Sequence, residues 1–299
     1  MSRVDELVDS GLIRRDVPLG PMTTYKAGGP ASWFAEVSTA DDLTALIVSG
    51  LTHDRPVLVL GRGSNLVVAD SGFEGLVVKL GGDFLSAIVE GEEVAAGAGM
   101  TLPRLARQAV DAGVLGLEFF VGIPGSVGGA VRQNAGCFGV ETRDRLVSAD
   151  IIDMAAGGRS TRDPKTLDLQ YRHSNLEPTE LVISATFRGY RGDPERGRAE
   201  MREITRWRKE HQPGGTLNAG SVFKNPPDIP AGELIDRLGL KGTSVGDVAV
   251  SDKHANFFVA GPEATAADIH RLVLVVKDAV FQRSGTILEP EIQFVGFEQ

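Results

Sequence analysis

The stretch Asn218-Ala219-Gly220-Ser221-Val222-Phe223-Lys224-Asn225-Pro226 sets a serine in a glycine-flanked turn beside a lysine and an asparagine. A hydroxyl, an ammonium and an amide so grouped could hold an anionic substrate and protonate it. A Gly-Ser pair is also common in plain turns, where the serine bonds its own backbone. The surrounding chain must therefore decide between the two readings.

Two glycine-rich stretches lie upstream. Leu58-Val59-Leu60-Gly61-Arg62-Gly63-Ser64-Asn65-Leu66-Val67-Val68 reads as a strand, a tight turn and a second strand. Gly122-Ile123-Pro124-Gly125-Ser126-Val127-Gly128-Gly129-Ala130, followed by Asn134-Ala135-Gly136-Cys137-Phe138-Gly139, reads as a second glycine-rich turn. Glycine lets backbone N–H groups approach a ligand, and successive N–H groups aimed into one concavity bind phosphate oxygens. Two such loops suggest a pyrophosphate cradle, although each alone is more often a plain turn. Neither is a standard nucleotide fingerprint. Leu66 stands where a dinucleotide fold places its third glycine, the residues after it look extended, and no G-x-x-x-x-G-K-[ST] occurs.

With Tyr171-Arg172-His173-Ser174 and Leu288-Glu289-Pro290-Glu291 added, the ordered set of motifs resembles the UDP-N-acetylenolpyruvoylglucosamine reductases, flavoenzymes of peptidoglycan precursor synthesis. The match runs from Thr23-Thr24-Tyr25-Lys26-Ala27-Gly28-Gly29-Pro30 to the last strand, nearly the whole chain. The resemblance implies an α+β fold: a two-lobed FAD-binding region of the vanillyl-alcohol-oxidase-like (PCMH-type) class, then an α+β substrate-binding domain. It implies FAD as cofactor, NADPH as co-substrate and a UDP-sugar as substrate. Residues 1–22 would form a lead, 23–190 the FAD-binding domain and 191–299 the substrate domain.

By the same resemblance Arg172 and Glu291 stabilise an enolate-like intermediate and Ser221 donates the proton. Arg172 could otherwise be a surface ion pair, and Glu291 could merely flank a strand. FAD would be held by Gly61, Gly63, Ser64, Asn65, Gly122, Ile123, Pro124, Gly125, Ser126, Gly128, Gly129 and Ala130, with Tyr171 either against the flavin or packed as a strand aromatic. Lys224 and Asn225 would contact the nucleotide-sugar. The short interval between Arg172 and Ser221 matches the form of the family that lacks an inserted substrate-capping loop with its tyrosine. Gln293 stands where the family commonly has a basic residue. Two other classes share parts of the pattern: another flavin oxidase of the same cofactor fold, and a non-catalytic nucleotide-sugar binding protein.

Composition limits the field. The chain has 299 residues, 42% hydrophobic and 24% charged, ordinary globular values for two domains or lobes. A formal charge of -9 argues against nucleic acid, which needs a concentrated basic surface. The one dense basic stretch, Arg202 to Lys209, is interleaved with acids and reads as a solvated helix face. Cys137 is the only cysteine and the five histidines form no close pair, so neither a disulfide nor a metal site is expected. No apolar run approaches the roughly 20 residues that span a bilayer. The first residues, Met1 to Leu7, are mixed in charge, and a cytoplasmic protein without an obligate protein partner is expected.

The elements that must position these residues are read from periodicity. Thr39 can cap a helix carrying Leu43, Leu46 and Ile47, and Thr101 one from Leu102 to Ala112 that Gly113 ends. Strands are expected at 57–60, 66–68, 76–80, 147–154 and 181–187, with a hairpin at 87–89 and 94–96. After Arg188 come a charged helix, a short helix near Glu233, extended segments to Ala260, a long helix from about Ala266 to Phe281, and a strand from Ile287 to Gly296.

Overall fold

The computed structural model describes residues 2–53 and 55–297. Helices form at α1 (Arg3–Asp9), α2 (Ala40–Val48), α3 (Leu102–Asp111), α4 (Val127–Gln133), α5 (Pro194–His211), α6 (Ala231–Arg237) and α7 (Ala266–Ser284). α2 starts at Thr39 as expected. The Thr39 hydroxyl accepts the Asp42 N–H at 3.1 Å, and the Asp42 carboxylate accepts the Thr39 N–H at 2.9 Å. This reciprocal box satisfies two donors that a helix start leaves open. α3 follows Thr101 and ends before Gly113, but the Thr101 side chain makes no capping bond. Little is left for it to cap. Pro103 has no N–H, the Leu102 N–H goes to the Gly125 carbonyl at 3.0 Å, and the Arg104 N–H to the Thr101 carbonyl.

The described residues form two compact units. Unit 1 comprises Met1–Asp16, Trp33–Arg62 and Glu74–Trp207; unit 2 comprises Val17–Ser32, Gly63–Phe73 and Arg208–Gln299. This division differs from a single boundary at 190/191. α5 stays with unit 1 as far as Trp207, and two short amino-terminal segments belong with the carboxyl-terminal third. Composition marks where a chain changes character along its length, whereas segments that return to an earlier core are set by packing.

Unit 1 is built on two sheets. One is four-stranded, in the order Ile13–Pro18, Pro30–Val37, Phe73–Leu80, Val57–Val59, the last two parallel. The other is five-stranded and antiparallel, in the order Arg159–Arg162, Leu146–Asp153, Glu180–Arg188, Glu93–Gly97, Ala87–Glu90. One hydrophobic core runs under both. α3 adds Leu102, Leu105, Ala106, Ala109 and Val110 to it, the spacing of a single helix face. Each leucine or valine so buried contributes about 1.5–3 kcal/mol.

Unit 2 has its own core, centred on α7 through Ile269, Leu272, Val273, Val276 and Val280. A three-stranded antiparallel sheet pairs Ser244–Val245, Val248–Val250 and Phe258–Ala260. Leu66–Val68 pairs in parallel with Gln293–Val295. The Asp70 carboxylate accepts the N–H groups of Ala266 and Ala267 at 3.0 and 2.9 Å, tying the end of the 63–73 segment to the first turn of α7. The expected strand from Ile287 to Gly296 is thus three residues long, with an isolated bridge at Pro290. A proline supplies no N–H to a ladder, which interrupts the strand.

Candidate active site

The first glycine-rich loop carries the chain from unit 1 to unit 2 at Arg62/Gly63. Its flanking strands do not pair with each other: Val57–Val59 joins Phe73–Leu80, and Leu66–Val68 joins Gln293–Val295. Gly63 lies at φ +61°, and a Cβ there would stand 2.4 Å from the Met22 carbonyl oxygen, so both conformation and space demand glycine. A Cβ on Gly61 would stand 2.5 Å from Ser126 Oγ. That close approach brings the start of the first loop against the second, inside unit 1. Among the described residues, the N–H groups of Arg62, Gly63, Ser64 and Asn65 meet no acceptor within the chain. Four successive donors with no internal partner fit the phosphate oxygens of a dinucleotide.

The second loop is built differently from the sequence expectation. Gly122 closes a short 3-10 turn, and Val127–Gln133 is helix α4 rather than turn. Its N–H groups are already used: Gly125 donates to the Ile123 carbonyl, Val127 to Met100, Gly128 to Ala98 and Ala130 to Ser126. Ser126 caps α4 through Oγ, accepting the Gly129 N–H at 3.4 Å. The expected row of free donors is therefore found at the first loop and not at Gly125, Gly128, Gly129 and Ala130, where helix and sheet ladders compete for the same groups. Pro124 and Gly129 remain exposed, and Ile123 and Gly125 half-buried, at the mouth of this turn.

The Tyr171-Arg172 pair forms the tip of a tight turn in unit 1. Gln170 and His173 exchange backbone hydrogen bonds at 3.2 and 3.1 Å. Arg172 sits at φ +54°, a left-handed conformation that costs an ordinary residue of order 1 kcal/mol and recurs at functional positions. Its guanidinium lies 4.9 Å from the centre of the Tyr171 ring, and the tyrosine is exposed. Asn134, fully buried at the end of α4, holds this turn. Its amide donates to the Gln170 carbonyl at 2.9 Å and to the Glu141 carboxylate at 3.0 Å, and its carbonyl accepts the Arg143 N–H at 2.9 Å. Arg132, two residues earlier, donates to the carbonyls of Leu176, Glu177 and Glu180. Burial pushes the Arg132 guanidinium down, opposed by the Glu180 carboxylate. α4 thus supports both the glycine-rich turn and the arginine turn.

Ser221, Lys224, Asn225, Glu289 and Glu291 come together in unit 2. Asn218 accepts the Gly220 N–H at 3.0 Å, and Gly220 turns the chain at φ +76°. Ser221 follows, half-buried, and Val222 and Phe223 then plunge into the core. The Glu291 N–H donates to the Val222 carbonyl at 2.8 Å, and the Lys224 N–H to the Glu289 carbonyl at 2.9 Å, around the bridge between Phe223 and Pro290. The same short ladder joins the first loop: Asn65 donates through its amide to the Glu291 carbonyl at 3.0 Å, and accepts the Gln293 N–H at 2.9 Å.

The two glutamates differ in surroundings. Glu289 is 69% exposed and its Oε1 lies 2.6 Å from Lys224 Nζ, whereas Glu291 is half-buried beside Val222. Asn225 caps α6, its Oδ1 accepting the Ala231 N–H at 3.0 Å. Burial pushes the phenol of Tyr25, which packs in the same core, well up, opposed by the backbone of Ala219. Sequence reading overlooked Asn134 and Asn256. Asn134 bonds the backbone of Gln170 and Asn256 that of Phe223, 36 and 33 positions away, and no local signal in the sequence marks either. No group of His, Cys, Asp and Glu side chains among the described residues is arranged to hold a metal ion. No helix among them is long and apolar enough to cross a membrane.

Comparison with known proteins bears on this geometry. Residues 31–161 match a family model for an FAD binding domain, and residues 212–295 match one for the carboxyl-terminal domain of UDP-N-acetylenolpyruvoylglucosamine reductase. The chain is 43% identical over 287 residues to the UDP-N-acetylenolpyruvoylglucosamine reductase of Erythrobacter litoralis, covering 96% of this chain and 88% of that one. It is 41% identical to the Synechococcus enzyme of the same name, over 98% of this chain and 96% of the relative. It belongs to the UDP-N-acetylenolpyruvoylglucosamine reductase family. The crystal structure of the Thermus caldophilus UDP-N-acetylenolpyruvylglucosamine reductase superimposes with a TM-score of 0.83 at 37% identity, covering 95% of this chain and 99% of that one. The α+β architecture, with two sheets in the larger unit and a separate carboxyl-terminal core, is therefore the fold of this family.

Proposed function

We propose that this chain reduces UDP-N-acetylenolpyruvoylglucosamine to UDP-N-acetylmuramate, with FAD as cofactor and NADPH as reductant, in peptidoglycan precursor synthesis. The observation that carries the reading is the ladder of unit 2, in which the Glu291 N–H bonds the Val222 carbonyl and Asn65 bonds Glu291. It ties the serine turn, the second glutamate and the end of a phosphate-type loop into one rigid piece. A colourless nucleotide-sugar binder has no use for that combination. The family matches at 31–161 and 212–295 support FAD binding by the first part of the chain and substrate binding by the last, with α5 packing in unit 1 between them in sequence.

FAD supplies a hydride to the terminal carbon of the enolpyruvyl group. The chain's part is to hold FAD, to stabilise charge and to deliver a proton. Gly61, Gly63, Ser64, Asn65, Gly122 to Ser126 and Gly128 to Ala130 would hold FAD, with the N–H groups of Arg62, Gly63, Ser64 and Asn65 available to its phosphate oxygens. Tyr171 would contact the flavin. As charge moves onto the substrate carboxylate, Arg172 meets it with a planar fork suited to two oxygens. Glu291 joins it in stabilising the enolate-like intermediate. Ser221 Oγ gives its proton to the adjacent carbon, and solvent restores it. Lys224 and Asn225 contact the nucleotide-sugar. Reductant and substrate are small molecules of the cytoplasm, where we place the enzyme. It needs neither nucleic acid nor an obligate protein partner.

Anaerobic reduction of the bound flavin by NADPH, followed by UDP-N-acetylenolpyruvoylglucosamine, tests the assignment. Reoxidation with formation of UDP-N-acetylmuramate is expected. Flavin that stays reduced in the presence of this substrate, yet reoxidises with oxygen alone, would assign the chain to a different flavin reaction.

A further inference from the structure

We propose that Asn256 is the positioning residue of the proton-donating turn, fixing Ser221 through the backbone of Val222 and Phe223. The inference rests on the reading of Ser221 as proton donor. Asn256 is 2% exposed, and both ends of its amide go to one residue: Oδ1 accepts the Phe223 N–H at 2.9 Å, and Nδ2 donates to the Phe223 carbonyl at 2.8 Å. Its own carbonyl accepts the Val222 N–H at 2.8 Å. On the opposite edge the Val222 carbonyl accepts the Glu291 N–H, and the Lys224 N–H goes to the Glu289 carbonyl. The segment after Ser221, Val222 to Lys224, is thus gripped from both sides.

A side chain here replaces a strand. An ordinary ladder would satisfy Phe223 with one N–H and one carbonyl from a neighbouring backbone, and the Asn256 amide presents the same pair of groups from a single rigid plane. Aspartate lacks the donor, and serine lacks the reach to bond both groups. Asn256 is itself fixed, its N–H donating to His254 Nδ1 at 3.3 Å with the His254 ring centred 4.8 Å from Phe257. Upstream of Ser221 the chain passes through Gly220, whose left-handed conformation gives the turn little stiffness of its own. The grip on Phe223 is consequently what holds the hydroxyl against displacement, and a displacement of about 1 Å at a reacting group costs on the order of 10²-fold in rate.

The test is a double-variant comparison on the flavin-loaded enzyme. Asn256→Asp puts a carboxylate oxygen against the Phe223 carbonyl. It should slow reoxidation of reduced flavin by UDP-N-acetylenolpyruvoylglucosamine by roughly 10- to 100-fold, with flavin content and the rate of reduction by NADPH unchanged. Combined with Ser221→Ala it should slow reoxidation no further than Ser221→Ala alone, because residues acting as one unit are not additive. Equal slowing of both half-reactions, or a double variant whose defect is the product of the two single defects, overturns the assignment of Asn256 and leaves Ser221 standing. If Ser221→Ala alone leaves reoxidation untouched, the reading of Ser221 fails and this inference fails with it. Should Asn256→Asp not retain flavin, Asn256→Ser, which leaves room for a bridging water, provides the same comparison.

Discussion

Glu289 and Glu291 stand two residues apart, and replacing each by glutamine tests which of them acts at the proposed reaction centre. Glu289 is 69% exposed, with its carboxylate 2.6 Å from Lys224 Nζ. A pair this open to solvent is worth about 0.2–1 kcal/mol. Even if substrate binding lost all of it, KM would rise by no more than about fivefold. Glu291 is half-buried, and its backbone is fixed by Val222 and Asn65. Losing one preorganised group that stabilises developing charge costs about 10²–10³ in rate, equivalent to about 2.7–4 kcal/mol. Stopped-flow reoxidation of NADPH-reduced enzyme by the enolpyruvyl substrate reads the two directly. Glu291→Gln should be slower by on the order of 10² or more, with Glu289→Gln within about fivefold of the parent. A larger defect in Glu289→Gln, with Glu291→Gln near the parent, would refute the assignment.

Two further outcomes follow from individual contacts. Gly61→Ala sets a Cβ against Ser126 Oγ at 2.5 Å, displacing the cap of α4 and opening the two loops; FAD affinity, measured by equilibrium release of flavin, should fall about tenfold, from roughly 1 kcal/mol of lost capping plus strain. Unchanged affinity would mean that the loops form no common cradle. Burial holds His254 below the usual imidazole value, with Lys241 adding to the effect, so the native state resists protonation there. The stability that His254 contributes is complete above about pH 6.5 and is lost as pH falls below it, because the unfolded chain takes the proton first. His254→Phe should flatten the pH dependence of the thermal midpoint in that range, and a slope identical to the parent's would contradict the buried neutral state.

Local chemistry that acts over three or four residues was legible in the sequence. Thr39 with Asp42, the face of α3 and its stop at Gly113 are visible because cap, period and terminator lie within one helix. The strand Arg159–Arg162 was not, since it is polar, mostly exposed and held only at the sheet edge by Leu146–Asp153. α4 was hidden by its glycines, which read as turn although Ser126 caps a helix there. At the site, the motifs named Ser221, Arg172 and Glu291, but nothing local chose between Glu289 and Glu291. The ladder that fixes the backbone of both glutamates pairs residues more than sixty positions apart. Asn134 and Asn256 escaped notice because each works on the main chain of a distant turn, which no periodicity records.

Ser221→Ala, followed through both half-reactions, tests the central claim most directly. Reduction of the bound flavin by NADPH should proceed nearly as in the parent, because no proton from Ser221 is needed there. Reoxidation by UDP-N-acetylenolpyruvoylglucosamine should slow by about 10²–10⁴, the range for loss of a general acid. Equal slowing of both half-reactions, or reoxidation at the parental rate, would contradict the role of Ser221 as the proton donor.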